Sequence, residues 1–218
     1  MKILFVAVFD DQGVSSNNSQ AVGFYKLGHE VTLYSYRDRA NILGGNIQRD
    51  KELVKLCKEL RPELTVFAKA TNISLDAIYQ CKQFTKVCYW FPDSLWAYTD
   101  KKEFVDMTTL SDFFCCDKQN VRDHGSKFNK RSYRVPDGYD PALEIPRNLD
   151  KTIDVSFIGS IYGDRQSRID KIDTEVSVFS NAFGIEHSQI VSASKINLNF
   201  CTEMGASDRI YKIMASEG

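Results

Sequence analysis

The sequence predicts an α/β fold made of two Rossmann-like, doubly wound parallel-sheet domains, the second of them small or truncated. Three observations predict it. Apolar runs of strand length recur along the chain, and most are followed by a segment whose apolar residues have helical spacing. This rhythm breaks in a segment rich in turn-forming residues, 136–150. A new apolar run at 154–158 then restarts it.

The first domain begins with the apolar run Ile3–Phe9, which is typical of a buried parallel strand. Apolar residues at helical spacing follow as far as Leu27, and Gly28 is typical of a helix end. Together with the next apolar run, Val31–Tyr36, they predict one βαβ unit. The alternation then continues with helices predicted over 51–60, 74–84, 103–110 and 119–124, and strands over 64–68, 86–91 and 113–116.

The second domain is predicted from a shorter stretch of chain. A strand over 154–158 ends at Gly159, and further strands are predicted over 175–179 and 195–200, with a helix over 207–215. The domain division is therefore 1–135, a linker at 136–150, and 151–218. The last range is shorter than the roughly 100 residues of a typical doubly wound domain, so the second domain looks incomplete at its C-terminus.

The composition of the 218 residues argues against several classes of function. Lys plus Arg number 28 against 29 Asp plus Glu, without the basic excess of a nucleic-acid-binding surface. The N-terminal apolar run is too short to span a bilayer and has no signal-peptide cleavage site. Six cysteines and three histidines match no metal-binding spacing. We therefore expect a cytoplasmic protein with reduced thiols, no metal site and no transmembrane segment.

Ligands of open α/β sheets bind beyond the carboxyl ends of the strands, which makes four loops candidate sites: 10–18, 92–96, 136–140 and 159–165. The first loop has no glycine-rich dinucleotide or P-loop motif, so no dinucleotide cofactor is expected. Asp10 and Asp11 resemble the strand-end acids of phosphorelay receivers, with Lys118 in the place of the accompanying lysine. A receiver or flavodoxin-like module is therefore one alternative that the residues leave open.

The loop from Gly159 to Arg165 has the composition of an anion site. Its two glycines allow a ligand to approach the backbone, and amides at the start of a following helix favour phosphate. Arg165 can add a bidentate, charge-assisted pair of hydrogen bonds. The other interpretation is an ordinary turn with a solvated arginine. The local sequence leaves both open.

Three blocks in the second half, taken in order, resemble the donor domain of CgeB-like (spore-maturation-type) glycosyltransferases, which have the GT-B fold. They are DVSFIGSIYGDR at 154–165, SKINLN at 194–199 and RIYKIMA at 209–215. Upstream, YWFPD at 89–93 and VPDG at 135–138 resemble the same family's first domain and interdomain segment. The resemblance covers most of the chain.

The resemblance implies two facing Rossmann domains that transfer a sugar from a nucleotide-diphosphate donor to an acceptor hydroxyl. The second domain would bind the donor, and the first would bind the acceptor, which could be a glycan, a protein or a small molecule. No metal is implied, and no cofactor besides the nucleotide sugar, which is a co-substrate.

The resemblance also implies roles for particular residues. The candidate bases or acceptor contacts are Asp10, Asp11 and Asp93, with further acceptor contacts at Gly13, Ser15 and Asn17. The donor would be bound by Gly159, Ser160, Tyr162, Arg165, Lys195, Asn197, Arg209 and Lys212. For Lys195, Asn197 and the neighbouring Asn199, the alternation with Ile196 and Leu198 equally fits a solvent-facing position.

Lys212 departs from the family pattern. Related enzymes usually carry a glutamate at this place, which accepts hydrogen bonds from the ribose hydroxyls, and a lysine ammonium group cannot accept them. A relative that binds a nucleotide or glycan without turnover is therefore the alternative to a glycosyltransferase.

Overall fold

The computed structural model describes residues 1–10, 15–95, 101–200 and 207–218. The chain divides into two compact units, Met1–Pro136 and Asp137–Gly218. Each unit is built on its own parallel β-sheet, with six strands in the first and three in the second. This confirms the predicted α/β fold class.

The first sheet has the strand order β2-β1-β3-β4-β5-β6, and all neighbouring strands are parallel. Because the chain moves to one side of β1 for β2 and to the other side for β3, the order reverses between β1 and β3. The short β6 was not predicted, since three residues are too few to show a periodicity. The strands are β1 Lys2–Ala7, β2 Glu30–Ser35, β3 Leu64–Ala68, β4 Lys86–Phe91, β5 Phe113–Cys116 and β6 Ser132–Arg134.

The helices of the first unit follow the predicted order, with one addition. The prediction continued the second strand through Tyr36, but the chain turns into a short helix there, and the Tyr36 side chain is buried. The next helix begins earlier than predicted, after Gly44 and Gly45, which both have positive φ. The helices are α1 Ser16–Lys26, α2 Tyr36–Ile42, α3 Asn46–Leu60, α4 Leu75–Cys81, α5 Lys101–Leu110 and α6 Gln119–Gly125.

Aromatic rings fill the core of the first unit on the side of α5. Phe104 of α5 packs against Phe91 of β4 and Phe114 of β5, with ring centroids 5.0 and 5.4 Å apart. Tyr89 of β4 lies within 6.3 Å of all three rings, and all four side chains are buried. Edge-to-face contacts of this kind add to the free energy gained from burial.

The second sheet has the order β8-β7-β9, again parallel. Its elements are β7 Ile153–Ile158, α7 Arg165–Ile169, β8 Ser177–Phe179, α8 Gly184–Ala193, β9 Ser194–Leu198 and α9 Asp208–Ala215. Because β8 and β9 lie on opposite sides of β7, the order reverses between β7 and β9. The sequence analysis missed α8, which begins at a glycine and buries small polar residues instead of an apolar stripe.

The segment predicted as a linker packs against α8 within the second unit. The Arg147 backbone amide donates a hydrogen bond to Ser192 Oγ (2.9 Å), and Arg147 Nε donates to Ser188 Oγ (3.2 Å). Ser188 Oγ in turn donates to the Ile145 carbonyl (2.5 Å). These bonds account for the buried serines of α8, because a buried hydroxyl is stable only with a partner.

Two further findings concern the described part of the chain. No helix in it combines the length and the apolar composition needed to cross a lipid bilayer. Its five cysteines are free thiols, namely Cys57, Cys81, Cys88, Cys115 and Cys116.

Substitutions at two glycines test the packing of the first unit. A Cβ atom at Gly125 would lie 2.4 Å from Phe114 Cε1, and this ring is fully buried. We expect Gly125→Ala to lower the free energy of unfolding by about 1–3 kcal/mol, the usual cost of overpacking a core. Urea denaturation of the purified variant measures it.

Gly23→Ala is the matched control. Gly23 lies inside α1, and nothing lies within 4 Å of a Cβ placed there. Alanine should therefore stabilise the helix by about 0.5–1 kcal/mol. If Gly125→Ala is as stable as the parent or more stable, the close contact between α6 and β5 is contradicted.

Candidate functional site

The candidate site of the second unit lies where β7 and β9 end. Gly159 directly follows β7, and Asn199 directly follows β9. Since the strand order reverses between these two strands, their carboxyl ends form the edge at which ligands of doubly wound sheets bind.

At Gly159 the side chain of Arg209 packs closely against the backbone. The φ of Gly159, +145°, is one that side-chain-bearing residues rarely adopt, and its N–H donates a hydrogen bond to the Phe179 carbonyl (2.8 Å). A Cβ atom here would lie 2.6 Å from Arg209 Nη2. Only glycine therefore leaves room for this guanidinium group beside the turn.

The Arg209 side chain is also held by residues near the end of β9 and the start of α9. It lies in the first turn of α9, and its Nη1 donates to Asn199 Oδ1 (3.2 Å). The same oxygen accepts a hydrogen bond from Ser207 Oγ (2.9 Å). The guanidinium carbon is 5.0 Å from the centre of the Phe157 ring, which is a cation–π distance.

Arg165 is the second guanidinium group at this edge. It is only 6% exposed, which differs from the solvated arginine of the alternative interpretation. Its Nη1 donates to the Ser160 carbonyl (2.7 Å), and its guanidinium carbon lies 3.8 Å from the centre of the Tyr162 ring and 5.7 Å from that of Phe157. Arg165 therefore holds the turn that follows β7.

The hydrogen bonds of Arg165 leave part of its guanidinium group unused. Its Nε is buried without a hydrogen-bond partner among the described residues, and no carboxylate in that part of the chain pairs with it. The helix that it begins has only five residues, so its dipole contributes little to an anion site. The positive charge at this edge comes instead from the two guanidinium groups.

A cluster of ionisable groups lies beside Arg209. Lys212 Nζ is 3.2 Å from Asp208 Oδ2, one turn apart on α9. Burial acts to raise the pKa of Asp208, but Lys212 and Arg209 outweigh it and hold that pKa below its usual value. Glu144 is 3% exposed, and its carboxylate accepts the Asp140 amide hydrogen (2.6 Å). Burial raises the pKa of Glu144, while the Asp140 amide and Lys212 oppose the increase.

His187 of α8 belongs to the same cluster. Its ring is 5% exposed, and neither nitrogen has a hydrogen-bond partner among the described residues. Burial, with Lys212 and Arg209 adding to it, lowers the pKa of His187 to about 4. The imidazole is therefore neutral at pH 7. Sequence reasoning missed His187, Glu144 and Asp208, because none of them lies in a recognisable motif or near the others in sequence.

Two residues predicted to bind the donor lie elsewhere in the second unit. Lys195 pairs with Asp154 (2.5 Å) near the amino ends of β9 and β7, at the opposite edge of the sheet from Gly159. The Asn197 side chain accepts from Ser156 Oγ (2.9 Å) and donates to the Val191 carbonyl (3.1 Å), so it ties β9 to β7 and α8. The structure therefore brings together Gly159, Ser160, Tyr162, Arg165 and Arg209, with Lys212 one turn further along α9, but not these two.

Three of the predicted acceptor residues form hydrogen bonds near the end of β1 and the start of α1. Asp10 Oδ2 accepts the Ser15 amide hydrogen (2.7 Å), and Asn17 Nδ2 donates to the Val8 carbonyl (2.7 Å). Ser15 also caps α1. Asp11 and Gly13, predicted with them, lie outside the described residues.

Asp93 follows β4 and forms an ion pair with Lys69, which follows β3. Both side chains are about two-fifths exposed. Lys118 donates to Asp117 Oδ2 (2.7 Å) and to the Pro92 carbonyl (2.6 Å). These bonds engage the lysine that a receiver-like site would pair with Asp10, so the structure gives no support to that alternative.

Comparison with known proteins identifies the fold. The chain aligns with MnaA of S. aureus in complex with UDP over 96% of its length and 70% of that chain, at 10% identity and a TM-score of 0.52. It aligns with a protein assigned as a UDP-N-acetylglucosamine 2-epimerase, from Listeria monocytogenes, over 90% of its length and 73% of that chain, at 6% identity and a TM-score of 0.51. This likeness confirms the fold as Rossmann-like of the GT-B type.

The lipopolysaccharide outer core galactosyltransferase WaaB, in its apo form, aligns at 10% identity and a TM-score of 0.49, over 91% of this chain and 68% of that one. No family model and no curated protein sequence matches the chain.

Gly159→Ala tests the packing of Arg209 against the backbone. The new methyl group would displace the guanidinium group, because it would lie 2.6 Å from Nη2. We expect the variant to lose affinity for inorganic pyrophosphate by about tenfold or more, the loss of a charge-assisted hydrogen bond. Isothermal titration calorimetry measures it.

Gly163→Ala is the control for backbone strain. Gly163 also has a positive φ (+60°), but nothing lies within 4 Å of a Cβ placed there. Both variants should therefore lose stability, and only Gly159→Ala should lose its anion affinity. Equal losses of affinity would show that the contact with Arg209 does not matter.

The pH dependence of stability tests the burial of His187. Its pKa is 6.5 in the unfolded chain and about 4 in the folded protein, so the unfolded chain binds this proton more readily. The free energy of unfolding should therefore fall as the pH is lowered from 6.5 toward 4. His187→Leu should remove part of this fall, measured by urea denaturation across the range. Parallel pH profiles for the two proteins would contradict the buried, neutral imidazole.

Proposed function

We propose that the second unit binds the diphosphate of a nucleotide sugar and that the chain is a metal-independent glycosyltransferase of the CgeB-like type. One observation carries the proposal. Arg165 and Arg209 converge on the Gly159 turn, at the edge where the strand order of the second sheet reverses. This is the position of ligand sites in doubly wound sheets.

Charge explains why the ligand would be a diphosphate. Two guanidinium groups near one ring repel each other, and an anion bound between them would remove that repulsion. Guanidinium groups bind phosphate oxygens through paired, charge-assisted hydrogen bonds. In sugar transfer, negative charge develops on the departing diphosphate, and donors already in place there would stabilise the transition state.

The nucleotide part of the proposal rests on the resemblance and on the fold neighbours. MnaA, which shares the fold, was solved with UDP. A uridine or guanosine diphosphate is therefore the ligand class that we propose. The free thiols agree with the reducing conditions of the cytosol, which is the location we propose.

The first unit would bind the acceptor at the carboxyl edge of its sheet. Asp93 is the candidate base, because its carboxylate is partly exposed and can take up the proton of an acceptor hydroxyl. Lys69 would orient this carboxylate through the ion pair. Asp10 would act indirectly, by holding the N-cap of α1 through the Ser15 amide.

Binding without turnover is the second candidate function, and Lys212 favours it. This side chain pairs with Asp208 and cannot accept hydrogen bonds from a ribose. The candidate bases are engaged as well, Asp10 by the Ser15 amide and Asp93 by Lys69. Release of free UDP from a UDP-sugar, with or without an acceptor, would separate the enzyme from the binding protein.

The arginines provide the direct test of the site. We expect Arg209→Ala to weaken binding of UDP or GDP by about 1.5–3 kcal/mol, roughly ten- to a hundredfold, the range for charge-assisted hydrogen bonds. Arg165→Ala should weaken it similarly and also lower the melting temperature, because this side chain is buried. Arg165→Lys should restore only part of the affinity, since an ammonium group cannot form two parallel bonds. Calorimetry with EDTA present measures all three.

Arg168→Ala is the matched control. Arg168 lies on the same short helix, but it is half exposed and pairs with Asp164. Its removal should leave the affinity unchanged. Binding that appears only after a divalent cation is added would contradict the metal-independent mechanism, and unchanged affinity in Arg209→Ala would contradict the site itself.

A further inference from the structure

A cluster of basic side chains lies on the loop that joins α6 to β6 in the first unit. Lys127, Lys130 and Arg131 fall within five positions, all three are exposed, and no acidic residue occurs between Asp123 and Asp137. None of the three forms an ion pair with a carboxylate of the described ranges. The loop is therefore a local concentration of positive charge on a chain whose formal net charge is -1.

Hydrogen bonds hold this loop against the end of α5. Asn129 Nδ2 donates to the Ser111 carbonyl (2.8 Å) and to the Thr108 carbonyl (3.0 Å), and its Oδ1 accepts the Arg131 amide hydrogen (2.9 Å). The Ser132 hydroxyl donates to the Asn129 carbonyl (2.5 Å). Because the backbone is already fastened in this way, a partner that binds the loop does not have to order it first.

Exposed aromatic rings accompany the cations. Phe128, directly after Lys127, is 38% exposed, and Tyr133 is 50% exposed. A surface that combines cations with exposed aromatic rings is suited to the boundary between lipid headgroups and acyl chains. There the cations meet acidic headgroups, and the rings lie among the headgroups.

The loop lies away from the edge at which we place the acceptor. It directly precedes β6, at the amino ends of β5 and β6, which are parallel. Ligands of doubly wound sheets bind beyond the carboxyl ends of the strands. Binding of a sugar acceptor therefore does not account for the charge of this loop.

Nucleic acid is the other polyanion that a basic, aromatic surface could bind, and the packing of the rings argues against it. Single strands bind by stacking their bases on open aromatic faces. Here the Arg131 guanidinium carbon lies 5.7 Å from the centre of the Phe113 ring, and the Phe128 ring contacts His124 at a centroid distance of 5.4 Å. The chain also has no basic excess.

We propose that Lys127, Lys130 and Arg131, with Phe128, form a docking surface for an anionic lipid membrane. The cations attract the acidic headgroups, and the Phe128 ring enters the headgroup region. Each cation held near such a surface strengthens binding about fivefold, so the attachment is weak and reversible. The inference does not depend on the proposed function.

Vesicle sedimentation of the full chain tests the surface. One set of vesicles contains equal parts of phosphatidylcholine and phosphatidylglycerol, and the other contains phosphatidylcholine alone. We expect the chain to bind only the anionic vesicles, and less tightly as salt is added, because salt screens the charges. Replacing Lys127, Lys130 and Arg131 together by Gln should weaken this binding roughly a hundredfold, and Phe128→Ser about tenfold.

Two controls accompany these variants. Lys51, Lys55 and Lys58 are exposed on α3, and replacing all three by Gln removes the same charge from another surface. This variant should bind the anionic vesicles as the parent does. Phe128→Trp should also retain binding, because tryptophan favours the membrane interface.

Several results would overturn the inference. They are equal binding to the neutral vesicles, no binding to either kind of vesicle, and equal weakening in the two triple variants, which would make net charge alone responsible. A single-stranded oligonucleotide is titrated in parallel, and binding to it through the three cations in the absence of vesicle binding would assign the surface to nucleic acid. Melting temperatures establish that each variant is folded.

Discussion

The contact between the Arg209 guanidinium group and the backbone of Gly159 sets the geometry of the candidate site. It joins the end of β7 to the first turn of α9, and the hydrogen bond to Asn199 adds the end of β9. β7, β9 and α9 are thereby held at one point. The contact requires glycine at 159 for two separate reasons, the positive φ of the turn and the space occupied by the guanidinium group. The proposed anion site and the cluster around His187 both depend on where this contact holds Arg209.

The guanidinium pair raises the question of how two like charges are tolerated at one edge. The Phe157 ring lies within cation–π distance of both, and Tyr162 stacks on Arg165. The Ser160 carbonyl and Asn199 Oδ1 accept hydrogen bonds from them, and both acceptors are neutral. These hydrogen bonds and ring contacts hold the two groups in position, and positive charge held in position is the property that a diphosphate site needs.

Periodicity predicted much of the fold, because a strand buried on both faces is a continuous apolar run. β3, β4 and β5 were predicted with their observed bounds, and β1 closely. The periodicity failed to predict a helix whose buried residues are mostly polar and a strand that is very short. α8 was missed because hydrogen-bonded serines replace an apolar stripe, and β6 because it has three residues. In the site, the loop 159–165 could be found from its glycines, but the burial of Arg165 could not, since stacking on Tyr162 and Phe157 is a tertiary contact.

The segment 137–150 shows why the composition of a loop is a poor guide to its role. Its prolines and turn-forming residues indicated a linker, yet its hydrogen bonds to Ser188 and Ser192 fasten it along α8. The same fastening places Glu144 in the cluster that contains Lys212. Because α8 carries His187 directly before the anchoring Ser188, with Ser192 further along the helix, a shift of this segment would disturb the imidazole and the carboxylate together. In this unit the segment is therefore part of the candidate binding site as well as a connection.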